Sequence, residues 1–381
     1  MAGTRHKKSR PGKPGRPANW SLPYRRGRSD GMAAGFRHGH WQGVCEAVLQ
    51  KSLRSFERRP ITVLFVASGK GFPYSPLDEG IRITLGGLAE RVIAVSPKDD
   101  VARIARAERP DLVLVLEGME FPPEQAEAIR MSGIRTAVWF TDDPYYTDIT
   151  SLLAVHYDYV FTLEKNCVSF YERLGCPHVH YLPLGVFPDF YRPRRPKQVR
   201  RSDVCFIGSA YWNRVRLFSR LLPLIEHRSF LVSGLWWDRL PDFKRWKKRI
   251  QLGRWMAPVE TSEYYHAHSV VINVHRDYQN DSYNRNGANI AAQSPNPRVF
   301  EIAACGTLQI VDPRSDLPLF YAPGEEIVTY DSPEDLAAKV EYYLNHEEER
   351  RRIALRALQR TMRDHTYANR LTQLLDAALA P

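Results

Sequence analysis

The clearest indication of the fold class is the run Ile61-Thr62-Val63-Leu64-Phe65-Val66, in which five of six side chains are apolar. A strand without the polar alternation of a half-exposed sheet is typical of a parallel sheet that helices cover on both faces. Helical stretches such as 101–109 and 122–131 separate four similar runs: residues 111–116, 135–140, 159–163 and 179–184. Strands that alternate with helices predict an α/β unit with a parallel sheet.

A second unit of the same kind follows an interruption. Residues 186–201 are rich in Pro and Arg and poor in apolar side chains, which predicts a linker. Beyond it the alternation restarts, with strands predicted at residues 203–208, 230–233, 270–274, 308–311 and 326–329. Two such units, at 60–185 and 202–362, predict a cleft between the carboxyl edges of two sheets, where open α/β sheets bind ligands. We expect the last helical stretch, within 363–381, to pack back on the first unit.

The composition is that of a globular protein. The chain has 381 residues, enough for two domains, and 43% of them are hydrophobic. No apolar run approaches the roughly 18 residues of a membrane span, and the basic N-terminus lacks the apolar segment of a secretory signal. The cysteines are scattered, odd in number and never at C-x-x-C spacing. This pattern predicts reduced thiols in the cytoplasm and no zinc site.

The formal net charge of +11 is confined to one end of the chain. Residues 1–59 contain 14 Lys and Arg against 3 Asp and Glu, which leaves 40 of each sign in the remainder. A neutral body argues against a nucleic-acid-binding surface. We interpret residues 1–59 as a basic, Gly-rich and largely flexible tail, in which Gly recurs every fourth residue from Gly27 to Gly43. That repeat is either a flexible or weakly helical lead-in, or a docking segment for a partner or an anionic surface.

A predicted helix start within residues 294–306 carries the strongest functional indication. Asn296 before Pro297 is typical of a helix N-cap. Arg298 and Glu301 are three residues apart and therefore share one face of the first turns. Because helix N-termini bind phosphate and a carboxylate accepts hydrogen bonds from sugar hydroxyls, the segment suits a nucleoside diphosphate. The alternative is an ordinary amphipathic core helix whose Glu faces water.

Two adjacent carboxylates, Asp142 and Asp143, follow the predicted strand 135–140 almost directly. They are therefore expected at the carboxyl edge of the first sheet, where one could be the general base for an acceptor hydroxyl. Helix capping before Pro144 is the alternative role. A metal site requires more converging oxygen ligands than this run supplies, so we predict none.

Three further loops follow predicted strands and are weaker candidates. Gly208 ends the first strand of the second unit, and Arg214 beyond it is either a diphosphate clamp with forked donors or a surface side chain. Gly69 and Gly71 follow the first strand, where they could let a ligand approach the backbone or simply form a turn. His275 opens a long polar loop, which is typical of a functional or disordered segment.

Several of these motifs resemble those of the CgeB-type spore-maturation glycosyltransferases. The matching blocks are W-x-x-D-D-P at 139–144, a strand–Gly–Arg entry at 206–214, the stretch 265–275, N-x-R-x-F-E-x-x-A-C-G at 296–306 and H-T-Y-x-x-R at 365–370. The resemblance covers nearly all of residues 27–381, and the 296–306 block is its most specific part.

The resemblance implies a GT-B fold with two Rossmann-like, doubly wound parallel-sheet domains. The first, at 60–185, would be the acceptor domain, and the second, at 202–362, would hold most of the donor nucleotide sugar. By their positions in the matching blocks, Glu301 would bind the donor ribose, and Arg298 and Arg214 the diphosphate. Gly208 and Asn296 complete the predicted donor site. One departure is Gln293, which stands where many retaining relatives carry the first Glu of a Glu-x7-Glu pair.

We therefore predict a metal-independent glycosyltransferase that moves a sugar from a nucleotide-diphosphate sugar to a hydroxyl acceptor, for a spore or cell-surface glycan. The nucleotide sugar is a co-substrate, and no cofactor is expected. Two alternatives stay open. A GT-B sugar-nucleotide epimerase or hydrolase would consume donor without an acceptor, whereas a non-catalytic nucleotide- or carbohydrate-binding coat protein would bind without turnover.

Overall fold

The protein was analysed as a computed structural model that describes residues 21–71, 74–196, 199, 201–279 and 282–380. The chain divides into two compact units: one ends at Val44, and the other begins at Cys45 and contains both β-sheets.

A single helix, α1, spans Ser21–Ser52. The basic segment was expected to be largely flexible, and for residues 21–52 that expectation is wrong. Each Gly in a helix interior costs about 1 kcal/mol relative to Ala. Burial of Cys45 and Leu49 at the end of α1 offsets part of that cost. Residues 1–20 of the predicted tail lie outside the described residues. Across the described ranges, no helix is both long enough and apolar enough to cross a bilayer.

The first domain is a six-stranded parallel sheet in the order β2-β1-β3-β4-β5-β6. Its central strands are buried along their whole length, as the apolar runs predict. The elements, in chain order, are β1 (Arg59–Val66), α2 (Ser75–Leu88), β2 (Ala89–Val95), α3 (Val101–Glu108), β3 (Leu112–Leu116), α4 (Pro123–Met131), β4 (Thr136–Phe140), α5 (Thr147–Ala154), β5 (Tyr159–Thr162), α6 (Lys165–Arg173) and β6 (His178–Tyr181).

The second domain repeats this architecture with the strand order β12-β11-β10-β7-β8-β9, again all parallel. Its elements are β7 (Val204–Ile207), α7 (Trp212–Leu224), β8 (Phe230–Gly234), α8 (Phe243–Trp246), β9 (Ile250–Leu252), α9 (Pro258–Ala267), β10 (Val270–Asn273), α10 (Pro297–Ala304), β11 (Leu308–Val311), β12 (Val328–Thr329), α11 (Pro333–Asn345) and α12 (Glu347–Asp364). The prediction of two doubly wound parallel-sheet domains is confirmed.

The last helix, α13 (Tyr367–Ala378), returns to the first domain. Leu371, Leu374 and Leu375 are buried in the same apolar cluster as Val63 and Leu85 of the first domain. The chain therefore crosses twice between the domains, once in each direction. The crossings meet where the Val186 amide donates to the His365 carbonyl at 2.9 Å.

Candidate functional site

A cavity of about 280 Å³ opens at the carboxyl edge of the second sheet. It lies beside the point where β7 and β10 are neighbours and the strand order reverses, which is where ligands of open α/β sheets bind. Its walls come from the loops after β7, β8 and β9, from the starts of α9 and α10, and from Pro76 of the first domain: Pro76, Tyr191, Ile207, Gly208, Ser209, Gly234, Arg254, Trp255, Met256, Pro258, Thr261, Tyr265, Asn296, Pro297, Arg298 and Glu301.

The N-terminus of α10 opens into this cavity. The side-chain oxygen of Asn296 accepts a hydrogen bond from the Val299 amide at 3.2 Å, as an N-cap residue should. The Asn296 amide group also donates to Asn273 at the end of β10, at 3.1 Å. The helix start is thus fixed to the sheet, and its positive end is presented to whatever occupies the cavity.

Arg298 and Glu301 both line the cavity on the first turns of α10. Burial raises the pKa of Glu301 to about 7, while Arg298 and the Tyr191 hydroxyl act in the opposite direction. The site therefore offers a cation beside the helix start and a carboxylate one turn further in. This arrangement suits a phosphate and a pair of sugar hydroxyls, respectively.

Gly208 and Gly234 form the floor of the cavity, where two loops pass very close together. A Cβ atom on Gly234 would lie 2.2 Å from the Gly208 carbonyl oxygen. The indole of Trp237 donates to that same oxygen at 2.8 Å and holds the loops in this position. A larger residue at Gly234 would therefore push the floor into the cavity.

Arg214 does not line the cavity, which differs from its predicted role as a diphosphate clamp. It is only 4% exposed. Its Nε and Nη2 atoms donate to the Val274 carbonyl at 3.1 and 2.7 Å, and Nη1 donates to the Ser209 carbonyl at 3.0 Å. Backbone carbonyl groups thus accept the hydrogen bonds of the guanidinium. Through these bonds Arg214 connects the loops after β7 and β10.

His275 is likewise a supporting residue and does not belong to an open ligand loop. It is 2% exposed, and its Nδ1 atom lies 2.7 Å from an oxygen of Asp312. Its backbone amide donates to the same oxygen at 2.8 Å. The pair fixes the end of β10 against the loop after β11, beneath the surface.

Asp143 is inaccessible, so its predicted role as a base is corrected to a structural one. The carboxylate is buried and accepts hydrogen bonds from the hydroxyls of Thr150, Thr162 and Tyr171 at 2.7 to 3.2 Å. Burial raises the pKa of Asp143 to about 6. An acceptor hydroxyl could not reach either oxygen.

Asp142, one residue earlier, is partly exposed at the carboxyl edge of the first sheet. Its Oδ2 atom accepts from the Tyr74 hydroxyl at 3.0 Å and from Lys70 Nζ at 3.4 Å. Lys70 also lies 3.3 Å from the fully buried Glu117, which the Thr141 amide fixes at 2.8 Å. Burial and the neighbouring Asp142 raise the pKa of Glu117. One polar cluster at this edge of the first sheet therefore contains Lys70, Tyr74, Glu117 and Asp142.

Gly69 and Gly71 flank Lys70 in the loop that follows β1. Both have positive φ, and a Cβ on Gly69 would lie 2.5 Å from Pro97. Neither glycine lines the cavity of the second domain; they turn the chain so that Lys70 reaches Glu117 and Asp142. Within the ranges that the structure describes, no group of three or more His, Cys, Asp or Glu side chains is placed to hold a metal ion.

The chain is similar in sequence and in fold to known proteins. A family model described as glycosyl transferase-like matches residues 214–376, which include α10 and part of the cavity wall. Spore protein CgeB of Bacillus subtilis (strain 168) is 30% identical over 310 residues, which are 80% of this chain and 95% of that protein. The chain belongs to the CgeB family.

Solved structures confirm the GT-B fold of this CgeB-family protein. A glycosyltransferase from Rickettsia africae ESF-5 superimposes with a TM-score of 0.59 at 12% identity, over 84% of this chain and 99% of that one. Anabaena Alr3699/HepE, solved in complex with UDP and glucose, gives 0.56 at 11% identity, over 83% and 98%. Family and fold are those of glycosyltransferases.

The motifs that resemble those of the CgeB family predicted only some of the residues of this candidate site. Gly208, Asn296, Arg298 and Glu301 line one cavity, whereas the partners of Asp142 come from separate strand ends. Lys70 and Glu117 follow β1 and β3, which are neighbours in the sheet. Residues placed directly after strands at one sheet edge are the signal by which they could have been found.

Proposed function

We propose that this CgeB-family protein transfers a glycosyl group from a nucleoside diphosphate sugar to a hydroxyl acceptor. The observation that carries the proposal is a single cavity that combines the N-terminus of α10, Arg298 and the Glu301 carboxylate. Its volume of about 280 Å³ is that of a small-molecule site. The similarity in fold to Anabaena HepE, a protein solved with UDP and glucose, supports the same ligand class.

The donor would lie along the cavity in a defined direction. The diphosphate would be bound at the start of α10 beside Arg298, because backbone amides and a guanidinium both favour oxyanions. Glu301 would accept hydrogen bonds from the ribose hydroxyls. The base would lie against Trp255 and Met256, which form the apolar part of the wall.

Two groups would then contribute to the reaction. Arg298 and the amides at the start of α10 would stabilise the charge that develops on the departing diphosphate. Fixed donors of that kind contribute about 10²–10³ in rate each. Asp142 would accept the proton of the acceptor hydroxyl from the other side of the cleft. In this proposal Arg298 supplies the positive charge, so the reaction requires neither a metal ion nor a cofactor.

The biological setting is proposed from the relative. Because the B. subtilis relative is named a spore protein, we propose that the acceptor is part of a spore or cell-surface glycan, glycosylated in the cytoplasm. The basic N-terminal segment, with its 14 Lys and Arg in residues 1–59, would contact an anionic surface or partner.

The proposal is tested by thermal shift of the full chain against UDP, GDP, TDP and ADP and their common sugar conjugates. A ligand at 100 times its dissociation constant adds about 2.7 kcal/mol of stability, which is readily measured. Glu301→Ala should abolish the shift. The control is Glu348→Ala, an exposed residue of α12.

The remaining outcomes separate the alternatives. Donor hydrolysed or isomerised without an acceptor would indicate the hydrolase or epimerase, and nucleotide binding without release of nucleoside diphosphate would indicate a binding protein. If no nucleotide stabilises the wild-type chain, the donor site is wrongly assigned.

A further inference from the structure

Four side chains are stacked in series just outside the cavity. The Arg239 guanidinium lies 5.1 Å from the ring of Trp212 and 4.7 Å from that of Trp236. Trp236 also stacks on Tyr283, with ring centroids 4.9 Å apart and planes inclined by 10°. Trp212, Arg239, Trp236 and Tyr283 are called the aromatic ladder.

The ladder is built on the two loops that form the floor of the cavity. Trp212 begins α7 three residues after Ser209, and Trp236 follows Gly234 by two residues. Trp237 is fully buried and bonded to the Gly208 carbonyl. Two members of the ladder are thus attached to the same short loops that line the cavity.

The backbone at Trp236 is held in an unfavourable conformation. Its φ of 63° lies in the left-handed region, which bulky residues rarely adopt. In this conformation the Trp236 ring contacts both Arg239 and Tyr283, whereas its neighbour Trp237 is fully buried. Strain of this kind concentrates at ligand-binding sites.

The residues at the two ends of the ladder are both partly exposed. Trp212 is 44% exposed and Tyr283 is 41% exposed. Exposed aromatic rings that rim a cavity are typical of interaction sites. The ladder also carries polar groups, because Arg239 donates to the Ala210 carbonyl at 3.4 Å and to the Tyr283 hydroxyl at 3.3 Å.

We propose that the exposed face of Trp212 and the adjoining ladder bind a sugar ring of the acceptor, which makes the acceptor a saccharide. This inference rests on the proposed function and names its acceptor class. A pyranose presents an apolar C–H face, which an indole covers well, and a rim of hydroxyls, which a guanidinium can bind. The nucleobase of the donor fits the ladder less well than a sugar ring does. Inside the cavity the base can already stack on Trp255, whose side chain is 49% exposed.

The test uses the full chain with saturating UDP, on an array of soluble oligosaccharides of glucose, galactose, N-acetylglucosamine and rhamnose. We expect at least one oligosaccharide to bind while UDP is present. The strongest binder is then titrated by calorimetry against Trp212→Ala and Trp212→Phe. The alanine variant should weaken binding at least tenfold, and the phenylalanine variant less, with UDP affinity unchanged in both. Tyr342→Ala, at the equally exposed Tyr342 of α11, is the matched control.

Three results would overturn the inference. They are no binding across the array by a protein that binds UDP, competition between the oligosaccharide and UDP, and undiminished binding by Trp212→Ala. The second would assign the ladder to the nucleobase. Failure of the wild-type chain to bind UDP, GDP, TDP or ADP would instead count against the proposed function. An unchanged melting temperature of the variants shows that they are folded.

Discussion

At the scale of single residues, the proposed role of Glu301 predicts that nucleotide binding depends on pH. Burial raises its pKa to about 7, and only the ionised carboxylate can accept hydrogen bonds from both ribose hydroxyls. UDP affinity should therefore be constant above pH 7 and fall about tenfold per pH unit below it, as the carboxyl becomes protonated. Calorimetric titration with UDP between pH 5.5 and 8.5 measures this slope.

Glu301→Gln provides the control for that titration. The amide cannot ionise, so UDP should bind this variant weakly, with only the shallower pH dependence that protonation of the terminal phosphate of UDP causes. An unchanged slope in the glutamine variant would show that another group titrates, and Glu117, whose pKa is also raised, would be the first to examine.

Asp142 and Asp143 are adjacent, yet we expect opposite results from changing them. Asp142→Asn removes a partly exposed base, so kcat should fall at least 100-fold with stability and UDP affinity unchanged. Asp143→Ala leaves the hydroxyls of Thr150, Thr162 and Tyr171 without their acceptor. Its free energy of unfolding should drop by about 1–3 kcal/mol or more. Urea denaturation and steady-state kinetics, measured on the same samples, separate the two effects. Equal stability loss in both variants would contradict the assignment.

This pair also shows what could be predicted from sequence at the residue scale. The motif around Asn296 and Glu301 is local, because one helix start sets the positions of both side chains, and it was found. Which of two adjacent carboxylates faces the cleft depends on the hydroxyls that surround each in the folded chain. The position of Arg214 also depends on the folded chain. The sequence predicts a diphosphate ligand for its guanidinium, but it does not reveal that backbone carbonyl groups accept those hydrogen bonds.

At the scale of elements, variants of Asn296 at the start of α10 can distinguish the contribution of helix capping from that of anion binding. Asn296→Ser keeps an N-cap acceptor but loses the hydrogen bonds to Asn273, so the free energy of unfolding should fall by about 1–3 kcal/mol while UDP binding changes only slightly. Asn296→Asp also keeps the cap but places a negative charge beside the diphosphate. UDP affinity should then fall at least tenfold, with a loss of stability similar to that of the serine variant, because both variants lose the bond that Asn296 donates to Asn273. Melting temperature and UDP titration of the two variants test this, and equal UDP affinity would place the diphosphate elsewhere.

Most strands followed from apolar runs in the sequence, and the two that did not are edge strands. β2 and β9 lie at the outer edges of their sheets. β9 is only three residues long and follows a run of Lys and Arg, and β2 is interrupted by exposed charged residues. An edge strand buries one side at most, so it lacks the continuous apolar run that revealed the central strands.

At the scale of the whole molecule, one loop of the second domain is bonded to the first. Residues 282–294, here called the crossing loop, approach α5 and α6. The Arg285 amide donates to the Tyr145 carbonyl at 2.7 Å, and the Gly287 amide donates to Asp148 at 2.7 Å. Sequence indicated a long polar loop, but its partners could not be predicted, because they lie more than 100 residues away.

Glu164 is the residue that most firmly joins the crossing loop to the first domain. Its carboxylate is 1% exposed and accepts from the amides of Gln293 and Ser294, each at 3.0 Å, and from Asn166 at 3.1 Å. Those first two amides precede α10, so Glu164 connects the first domain to the entrance of the donor cavity. Glu164→Ala leaves both amides without an acceptor, which costs roughly 1–3 kcal/mol for each. Their hydrogen exchange should therefore accelerate about 10–100-fold.

We expect Glu164→Ala to lower kcat while the Kd of UDP stays within about twofold. The groups proposed to contact UDP belong to the second domain, whereas transfer requires Asp142 of the first domain to stay aligned with them. Hydrogen exchange of residues 285–294 and steady-state kinetics give the two readouts. Glu172→Ala is the matched control, because Glu172 lies on the same helix, α6, and is exposed. If the Glu164 variant lost UDP affinity and kept kcat, the crossing loop would belong to the donor site and would not align the two domains.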